Sequence, residues 1–485
     1  MLLATFTCGA VNVNTTPGNL ASEVTDKTVT SLAISGEIDA RDLVFVANDL
    51  TELTELDLSG ASIVAYESDE PVLGNAMRFA ADELPATVFF GKGYTSVVLP
   101  TTLKVIGDQA LAGCSSLTTV EIPASVTRIG DDAFNGSGIT SVTIPATVQT
   151  LGERTFASCK SLTTATVLCQ DTGAETFASC PSLSQVTLGN DVKTIGSGAF
   201  KGTTALHEIN VAVGSALESI GDCAFMGSGI NTADLSNLSN LTTIGMWAFA
   251  NCKDLNDLSL GSAIESVGDG AFFYNTGLES VQMPEGITRV GDYLFAGCNA
   301  VNNDSVIIEG YKEVGRYAFY NWDQVIRFVV SSSVTSIGDR AMAGMTGLEM
   351  MSSHALDVPE LGENVWDGVE QQYVTLFVNE ASVDAYRYAA QWQEFKIDME
   401  PTEVSDITGD MADINAYFSG YLLVVKSNEP LSLVSVYDVN GVLLSKVEPT
   451  DAQAHISTEN FGGKISVVSV VTASGAKRTF KLIRQ

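Results

Sequence analysis

The stretch that decides the fold is Ile122-Pro-Ala-Ser-Val-Thr-Arg-Ile-Gly-Asp-Asp-Ala-Phe134, because partial copies of it recur along the chain. Its second half, Ile-Gly-Asp-x-Ala-Phe, returns at 220–225 and, with Val as the first residue, at 267–272. One large apolar residue, here called the plug residue, closes each copy at intervals of 21–25 residues. This periodicity predicts a repeat architecture. The plug residues are Leu111, Phe134, Phe156, Phe177, Phe200, Phe225, Phe249, Phe272, Phe295, Phe319, Met342 and Trp366.

A second phrase, Leu-x-x-Val-x-Ile, follows most plug residues after five or six positions, as at 117–122 and 139–144. Alternating apolar residues predict a short strand with one face buried. Leu-x-x-Leu-x-Leu at a period near 23 is the leucine-rich-repeat signature. We therefore predict an α/β-type repeat solenoid, with parallel strands roughly 4.8 Å apart on a concave face and plug residues stacked in a continuous core.

A recurring Asp follows the Gly of most copies and predicts a turn with a side-chain cap on a short helical segment. Calcium binding by a ladder of carboxylates is the alternative. The cap is favoured because Glu153, Ser197, Met246 and Arg316 take the same position in other copies. The recurring residues are Asp108, Asp131, Asp222, Asp269, Asp292 and Asp339.

Five of the eight cysteines lie three residues after a plug residue, where other copies have Ser, Thr or Asn. Exchange among these types predicts a small buried side chain that bonds to neighbouring backbone. A metal site is not expected, since its ligands must converge from different directions. A disulfide between Cys159 and Cys180 is the alternative. The five are Cys114, Cys159, Cys180, Cys252 and Cys298.

The pattern changes at both ends of the repeats. Residues 29–90, with a helix predicted at Asp39–Asn48, form a divergent N-terminal cap, and an amphipathic helix at Ser382–Phe395 covers the last repeat of the array at 91–398. Residues 399–420 are predicted as a linker, and 421–485, with a hairpin turn at Asn440-Gly441, as a small all-β sandwich. Residues 1–28 are predicted as a leader remnant and linker, with lipidation at Cys8 as the less favoured alternative to simple cleavage.

The charge balance excludes several classes of partner. Lys and Arg number 25 against 58 Asp and Glu, so the net charge is −33. This field repels phosphate backbones and anionic headgroups, so we expect no nucleic-acid partner. No segment is long and apolar enough to span a bilayer. The three histidines, His207, His354 and His455, are far apart, and catalytic and phosphate-binding motifs are absent, so no enzyme, metal site or cofactor is expected.

The array resembles the BspA-like leucine-rich repeat family, through 122–134 with its copies and through the closing segment Phe377-Val-Asn-Glu-Ala-Ser-Val-Asp-Ala-Tyr386. The resemblance implies a secreted or surface protein, many such proteins coming from Bacteroidetes-type bacteria and some acting as adhesins. The last domain resembles the sorting domains of type IX secretion, through Val436-Tyr-Asp-Val-Asn-Gly441 and the closing strand. It departs from them at Gly463-Lys-Ile465, where that family usually shows Gly-x-Tyr.

The residues between the buried strand positions must point outward, and we call the surface that they form the strand face. This surface is polar and acidic, which suits hydrogen bonding to an extended protein or glycan, with simple solubility as the alternative for any one residue. Tyr274, Tyr320 and Trp322 match no regular repeat position and are predicted as exposed aromatic anchors. The predicted binding residues of the strand face are Glu121, Gln185, Glu208, Asn210, Asp234, Asp257, Gln282 and Arg327.

Two functions follow from these features. The first is an adhesin that binds an extracellular protein or glycoprotein from the outer surface of a bacterium, as an exported monomer. The second is a glycan-binding accessory protein for nutrient capture, which needs exposed aromatic platforms. A passive surface-structural role remains if neither kind of ligand binds.

Overall fold

The computed structural model describes residues 11–211, 214–279, 287–301, 306–308 and 310–399, and then 414–419, 422–427, 429–438, 442–449, 451–458, 465–473 and 477–483. The chain divides into two units. The first comprises Met1–Leu376 with Asp384–Lys396, and the second Phe377–Val383 with Ile397–Gln485. Cys8, Gln282 and Asn440-Gly441 lie outside the described residues.

Most repeats of the first unit contribute one strand to the strand face, and these strands pair in parallel. The strand predicted at 117–122 is reduced to an isolated bridge between Thr119 and Ser96. The alternation predicted from sequence is present: in Ser141–Ile144 the side chains of Val142 and Ile144 are buried, and those of Ser141 and Thr143 are exposed. The strands are Ser141–Ile144, Thr164–Val167, Gln185–Leu188 and Asn210–Val211, then Thr232–Asp234 and Asp257–Ser259, then Val306–Ile308, Arg327–Val330, Met350–Ser353 and Thr375–Val378.

A second parallel ladder of two-residue strands runs along the array, although sequence analysis predicted only one strand per repeat. It is formed by the residues just before each Gly, such as Arg128–Ile129, whose Ile is fully buried. Its strands are Glu83–Leu84, Val105–Ile106, Arg128–Ile129 and Thr150–Leu151, then Thr194–Ile195, Ser219–Ile220, Thr243–Ile244 and Ser266–Val267, then Arg289–Val290, Glu313–Val314, Ser336–Ile337 and Glu360–Leu361.

The plug residues form the predicted continuous core. Phe134 and Phe156 stack with ring centroids 5.0 Å apart, and Phe272 and Phe295 with centroids 5.3 Å apart. Both pairs are close to parallel, and all four rings are fully buried. Stacked aromatic pairs contribute about 0.5–1.5 kcal/mol each beyond the area they bury, so this column binds each repeat to the next.

The turn around each plug residue differs from the predicted α/β pattern, because no helix lies among the described residues from Leu84 to Trp366. The residues two before and two after the plug residue have positive φ, as at Asp132 (54°) and Gly136 (66°). Right-handed helix cannot continue through such residues. The turns pair with each other instead: the amide of Phe134 donates to the carbonyl of Thr155 at 2.8 Å. The fold is therefore a solenoid of strands and turns.

The recurring Asp caps the neighbouring repeat and not a helix of its own. The Asp108 Oδ1 accepts from the Asp131 amide at 3.1 Å, and Asp131 Oδ1 accepts from the Glu153 amide at 2.9 Å. Asp222 Oδ1 accepts from the Met246 amide in the same way, at 2.7 Å. Each carboxylate thus satisfies the amide that occupies its own position one repeat later.

The cysteine position behaves as predicted. The Cys159 Sγ donates to the carbonyl of Phe134 at 3.3 Å, and Cys252 Sγ to that of Phe225 at 3.1 Å. The described cysteines are free thiols, and all five at this position are buried. Burial raises the pKa of Cys252 to about 11. At this position each of these two thiols donates to the carbonyl of the preceding plug residue.

The N-terminal end contains the predicted helix, observed at Ala40–Asp49, with Asp39 as its N-cap. Asp42 completes a capping box and also accepts from the amides of Gly18 and Leu20, at 2.8 and 3.1 Å. Part of the stretch predicted as leader and linker is thus included in this unit. The elements here are the parallel strands Val11–Thr15, Ser31–Ile38, Glu55–Ile63 and Ser96–Val98, the helix Leu20–Glu23, and the hairpin Tyr66–Glu67 with Arg78–Phe79.

The C-terminal helix of the array is shorter than predicted. It covers Val383–Tyr388 and is followed by a 3-10 turn at Trp392–Glu394, because Gln391 between them has a φ of 63°. The Gln391 side chain accepts from the Val365 amide at 2.9 Å and donates to the Gly362 carbonyl at 2.7 Å. In other repeats the equivalent amide and carbonyl bond to each other, as Ala341 does to Gly338 at 3.2 Å, so the Gln391 side chain is inserted between them. A short 3-10 turn at Gln371–Tyr373, a second at Glu380–Ser382 and the strand Lys396–Met399 complete this region.

The second unit contains two antiparallel sheets, of three and four strands. Leu423 and Ile456 of one sheet and Val434 and Val468 of the other belong to one buried cluster, which agrees with a small all-β unit. Sequence analysis missed the strands Asn415–Ser419 and Gln453–Ser457. The strands are Asn415–Ser419, Leu422–Lys426 and Gln453–Ser457 in one sheet, and Leu443–Val447, Leu431–Tyr437, Ile465–Thr472 and Lys477–Ile483 in the other.

Candidate interaction surface

The strand face presents the predicted binding residues to solvent, apart from Gln282, which lies outside the described residues. Strand register places neighbours side by side: Asn210 lies beside Thr187, and Asp257 beside Thr232. The predicted residues do not converge on one point, since each belongs to a different repeat or to a different outward position. The exposed residues are Glu121, Gln185, Glu208, Asn210, Asp234, Asp257 and Arg327.

Acidic side chains occupy the middle of this face. Asp234 Oδ1 accepts from the Ser236 hydroxyl at 2.6 Å and from the Ser236 amide at 3.0 Å. These two hydrogen bonds lower the pKa of Asp234 below its ordinary value, so the carboxylate remains charged in mildly acidic solution. The middle of the strand face therefore attracts cationic groups.

Trp322 is buried, so the prediction that it is an exposed anchor is wrong. Only 1% of its surface is accessible, and its Nε1 donates to the carbonyl of Phe295 at 2.8 Å. It lies three residues after the plug residue Phe319, at the cysteine position, and replaces the thiol as donor to the preceding plug residue. The prediction also misjudged its place in the repeat, because this position is regular.

Tyr274 and Tyr320 also occupy regular positions, two and one residues after a plug residue. Tyr274 is 48% exposed and Tyr320 is half-buried. They belong to a group that we call the aromatic ridge, in which the ring centroids of Tyr293 and Tyr317 stack at 4.9 Å, as their shared position predicts. The aromatic ridge consists of Trp247, Phe273, Tyr274, Tyr293, Tyr317 and Tyr320.

The aromatic-rich stretch of the sequence, 272–274 onward, includes Phe273, but Trp247 was not predicted to belong with it. Trp247 shares its position with Tyr293 and Tyr317, two residues before a plug residue, where earlier repeats have Asp132 or Arg154. Tabulating the residues of each repeat at this position would have shown the change from charged to aromatic side chains. The aromatic ridge belongs to the turns and not to the strand face.

The described residues contain no group of three or more His, Cys, Asp or Glu side chains placed to hold a metal ion. The recurring aspartates are used as acceptors of backbone amides and of Arg side chains, as in the 3.0 Å contact between Arg316 Nε and Asp292 Oδ2. The arrangement therefore offers a long polar surface and an aromatic ridge, both suited to recognition.

Parallel strands, a stacked plug column and an outward strand face together define a leucine-rich-repeat solenoid. Sequence comparison identifies the family within this class. The chain belongs to the BspA type leucine-rich repeat family, whose model matches residues 82–172, 170–302 and 312–407 in six copies, more than half of the chain. No curated protein matches the chain significantly. The comparisons indicate no catalytic family.

Among solved structures, a leucine-rich repeat protein from Bacteroides ovatus is similar with a TM-score of 0.58 and 19% identity, over 81% of this chain and 91% of its own. That likeness shows the same fold. The pneumococcal vaccine antigen PcpA matches with a TM-score of 0.43 and 16% identity, over 69% of this chain and 88% of its own. A leucine-rich cell surface protein from Faecalibacterium prausnitzii matches with a TM-score of 0.32 and 21% identity, over 59% and 87%.

The helices of the described residues are short. None of them has both the length and the hydropathy needed to cross a membrane.

Proposed function

We propose that this chain is a secreted or surface-exposed binding protein of a bacterium, an adhesin that recognises an extracellular protein or glycoprotein through its strand face. The observation that carries the proposal is the row of exposed polar side chains held in register on successive parallel strands. A rigid row of this kind is preorganised for an extended ligand, because little conformational entropy is lost when the ligand binds.

The charge of the strand face indicates the kind of partner. Asp234 and Asp257 lie at its middle, in a chain of net charge −33. Complementary charge raises the rate of association and rejects partners of like charge. The partner that we propose therefore offers Lys or Arg side chains.

The ends of the chain support action outside the cytoplasm. Family membership agrees with a surface or secreted protein, and the small all-β C-terminal unit is the part that resembles a sorting domain. We propose that a signal peptide exports the chain, that this unit directs sorting, and that the protein acts as a monomer without enzymatic activity.

The test is capture of the full chain on an array of matrix proteins and glycans, followed by a charge swap. Asp234→Lys with Asp257→Lys should weaken capture about tenfold or more, as expected for the loss of close charge pairs, and leave the circular dichroism spectrum of the folded chain unchanged. Glu265→Lys with Glu360→Lys is the matched control, since both residues are exposed and lie at the second ladder. Equal effects of the two swaps would refute recognition by the strand face.

Glycan capture is the second candidate, and the exposed ring of Tyr274 is the observation that favours it. The glycan spots of the array separate the two candidates. Binding to neutral glycans that is lost in Tyr274→Ala and retained in the charge swap would select the second candidate.

A further inference from the structure

The strand face is interrupted in the middle of the array. Asn210–Val211 pairs with the preceding strand and Thr232–Asp234 with the following one, and these two strands belong to different sheets. The Asn231 amide donates to the His207 carbonyl at 3.1 Å at the start of the strands, and the second ladder pairs Ile220 with Ile244 after them. Among the described residues, the two repeats are therefore joined on either side of the strands while the strands themselves lie in different sheets.

A cavity of about 240 Å³ lies at this interruption. Its floor is the core of the array, including the side chains of Leu217, Ile220 and Phe249, each buried to 2% exposure or less. Ile209 and Val211 line it from the side and are half-buried, whereas Val186 and Leu188 at the same positions one repeat earlier are buried. The opening thus exposes core side chains that other repeats cover.

Two features of the sequence account for the cavity. The interval from Phe200 to Phe225 is 25 residues, the longest between plug residues, so this repeat carries extra chain. The inward position of the next strand holds Ala233, where the following strand has Leu258. The small Ala233 side chain leaves volume unfilled beside the interruption of the strand face.

The exposed residues that line the cavity are polar. They are Glu208, Thr232, Asp234 and Asn237, so the cavity opens on the acidic middle of the strand face. An apolar floor beneath a negatively charged rim is complementary to an apolar side chain that has a cation next to it.

We propose that this cavity is a binding site for one apolar side chain of a protein partner, of Phe or Leu size, next to a Lys or Arg that pairs with Glu208 or Asp234. The proposal rests on the proposed function, and it names the chemistry that the strand face recognises. The volume is sufficient, since an apolar cavity of about 150 Å³ accommodates benzene. The burial of one such side chain in a pocket is typical of an interface hot spot.

The experiment uses the full chain with methyl-labelled Ile and Leu, observed by NMR. The probes are benzene, acetyl-Phe-Lys-amide, acetyl-Phe-Glu-amide and acetyl-Ala-Lys-amide. We expect benzene and acetyl-Phe-Lys-amide to shift the methyl signals of Ile209, Ile230 and Leu235. The affinity of acetyl-Phe-Glu-amide should be several-fold lower because of the acidic rim, and acetyl-Ala-Lys-amide should leave these signals in place.

Ala233→Leu fills the cavity without changing charge. It should lower the affinity for acetyl-Phe-Lys-amide about tenfold or more, while the melting temperature stays unchanged or rises. Ala165→Leu is the matched control, because Ala165 has the same strand position but is packed between Val142 and Val186 in an intact sheet. Overpacking should lower its melting temperature by several degrees and leave probe binding intact.

The inference is overturned if benzene and acetyl-Phe-Lys-amide leave the three methyl signals unshifted in the wild type, or if Ala233→Leu binds them as well as the wild type does. Failure of the proposed function looks different: the charge swap would then leave array capture unchanged while the probes still bind at Ile209. If array capture survives Ala233→Leu but is lost in the charge swap, recognition by the strand face stands and binding in the cavity is refuted.

Discussion

Single side chains in this array act mainly on the repeat next to their own. Cys252 donates to the carbonyl of Phe225, and Trp322 donates to that of Phe295, in each case the plug residue of the preceding repeat. Each of these carbonyls also accepts from an amide of its own repeat, as Phe225 does from Ser228 at 2.9 Å, so the side chain adds a second hydrogen bond. Met345 holds the same position without a donor, so a donor stabilises the position but is not required there.

Replacement of Cys252 tests how much its hydrogen bond to the Phe225 carbonyl contributes to stability. Cys252→Ser keeps a donor and should change the free energy of unfolding little, since Ser137 and Ser228 hold this position in other repeats. Cys252→Val removes one of the two donors to the Phe225 carbonyl, which keeps the Ser228 amide at 2.9 Å, and should cost about 0.5–1.5 kcal/mol in urea unfolding. An equal loss in both variants would show that only the volume of the side chain matters.

The same thiol predicts a dependence on pH. Its pKa is raised by burial from 9.0 to about 11, so the folded state favours the neutral thiol. Stability from this group is complete below pH 9 and is lost as the pH rises towards 11, by on the order of 2–3 kcal/mol. The loss should be smaller in Cys252→Ser, which has no thiol at this position.

At the scale of the element, the turn around the plug residue departs most from the sequence-based prediction. Both of its left-handed positions favour Gly, Asn or Asp, yet Trp247, Tyr274, Tyr293 and Tyr317 adopt φ between 55° and 59°. The aromatic ridge is therefore built against the local backbone preference. Ring stacking between repeats offsets this cost, as at Tyr293 and Tyr317.

Substitution of Tyr274 separates backbone strain from ring packing. Asn251 and Asn321 hold the same position in other repeats, at φ of 60° and 61°. Tyr274→Asn should leave the free energy of unfolding unchanged or raise it, by no more than about 1 kcal/mol. Tyr274→Val, a β-branched residue, should lower it by about 1–2 kcal/mol, measured by urea unfolding. If Tyr274→Asn lowers the free energy of unfolding more than Tyr274→Val does, contacts of the ring outweigh backbone strain.

At the scale of the whole molecule, the array gains its stability from contacts between neighbouring repeats and meets self-repulsion from a net charge of −33. Such a chain is stabilised when salt ions screen the repulsion between its carboxylates. The ends are closed by Asp42 at one side and Gln391 at the other, each supplying partners to backbone groups of the terminal coils.

Salt should therefore raise the melting temperature of the full chain. Between 0.01 M and 0.15 M NaCl the Debye length falls from about 30 Å to about 8 Å, which screens repulsion between carboxylates on successive repeats. We expect an increase of several degrees by differential scanning calorimetry. A smaller increase is expected for Asp234→Lys with Asp257→Lys, and a decrease in the wild type would contradict the dominance of repulsion.

The repeat, the plug column and the alternation of the strand face could be read from the chain, since apolar residues at a fixed period have to be buried by stacking on their own copies. The donor role of the cysteine position also followed, because Cys, Ser and Thr exchange there. These are properties of composition and spacing. Each of these features recurs in enough repeats to be recognised by comparing one repeat with the next.

The remaining features depend on what lies beside a residue in space, which no single repeat specifies. Trp322 is buried because the carbonyl of Phe295 lies within reach of its indole, and the recurring Asp bonds to the following repeat because coils stack with their turns in register. The cavity at Ala233 lies where two successive described strands belong to different sheets. Contacts between neighbouring repeats, and not the sequence pattern within one repeat, determined each of these three features.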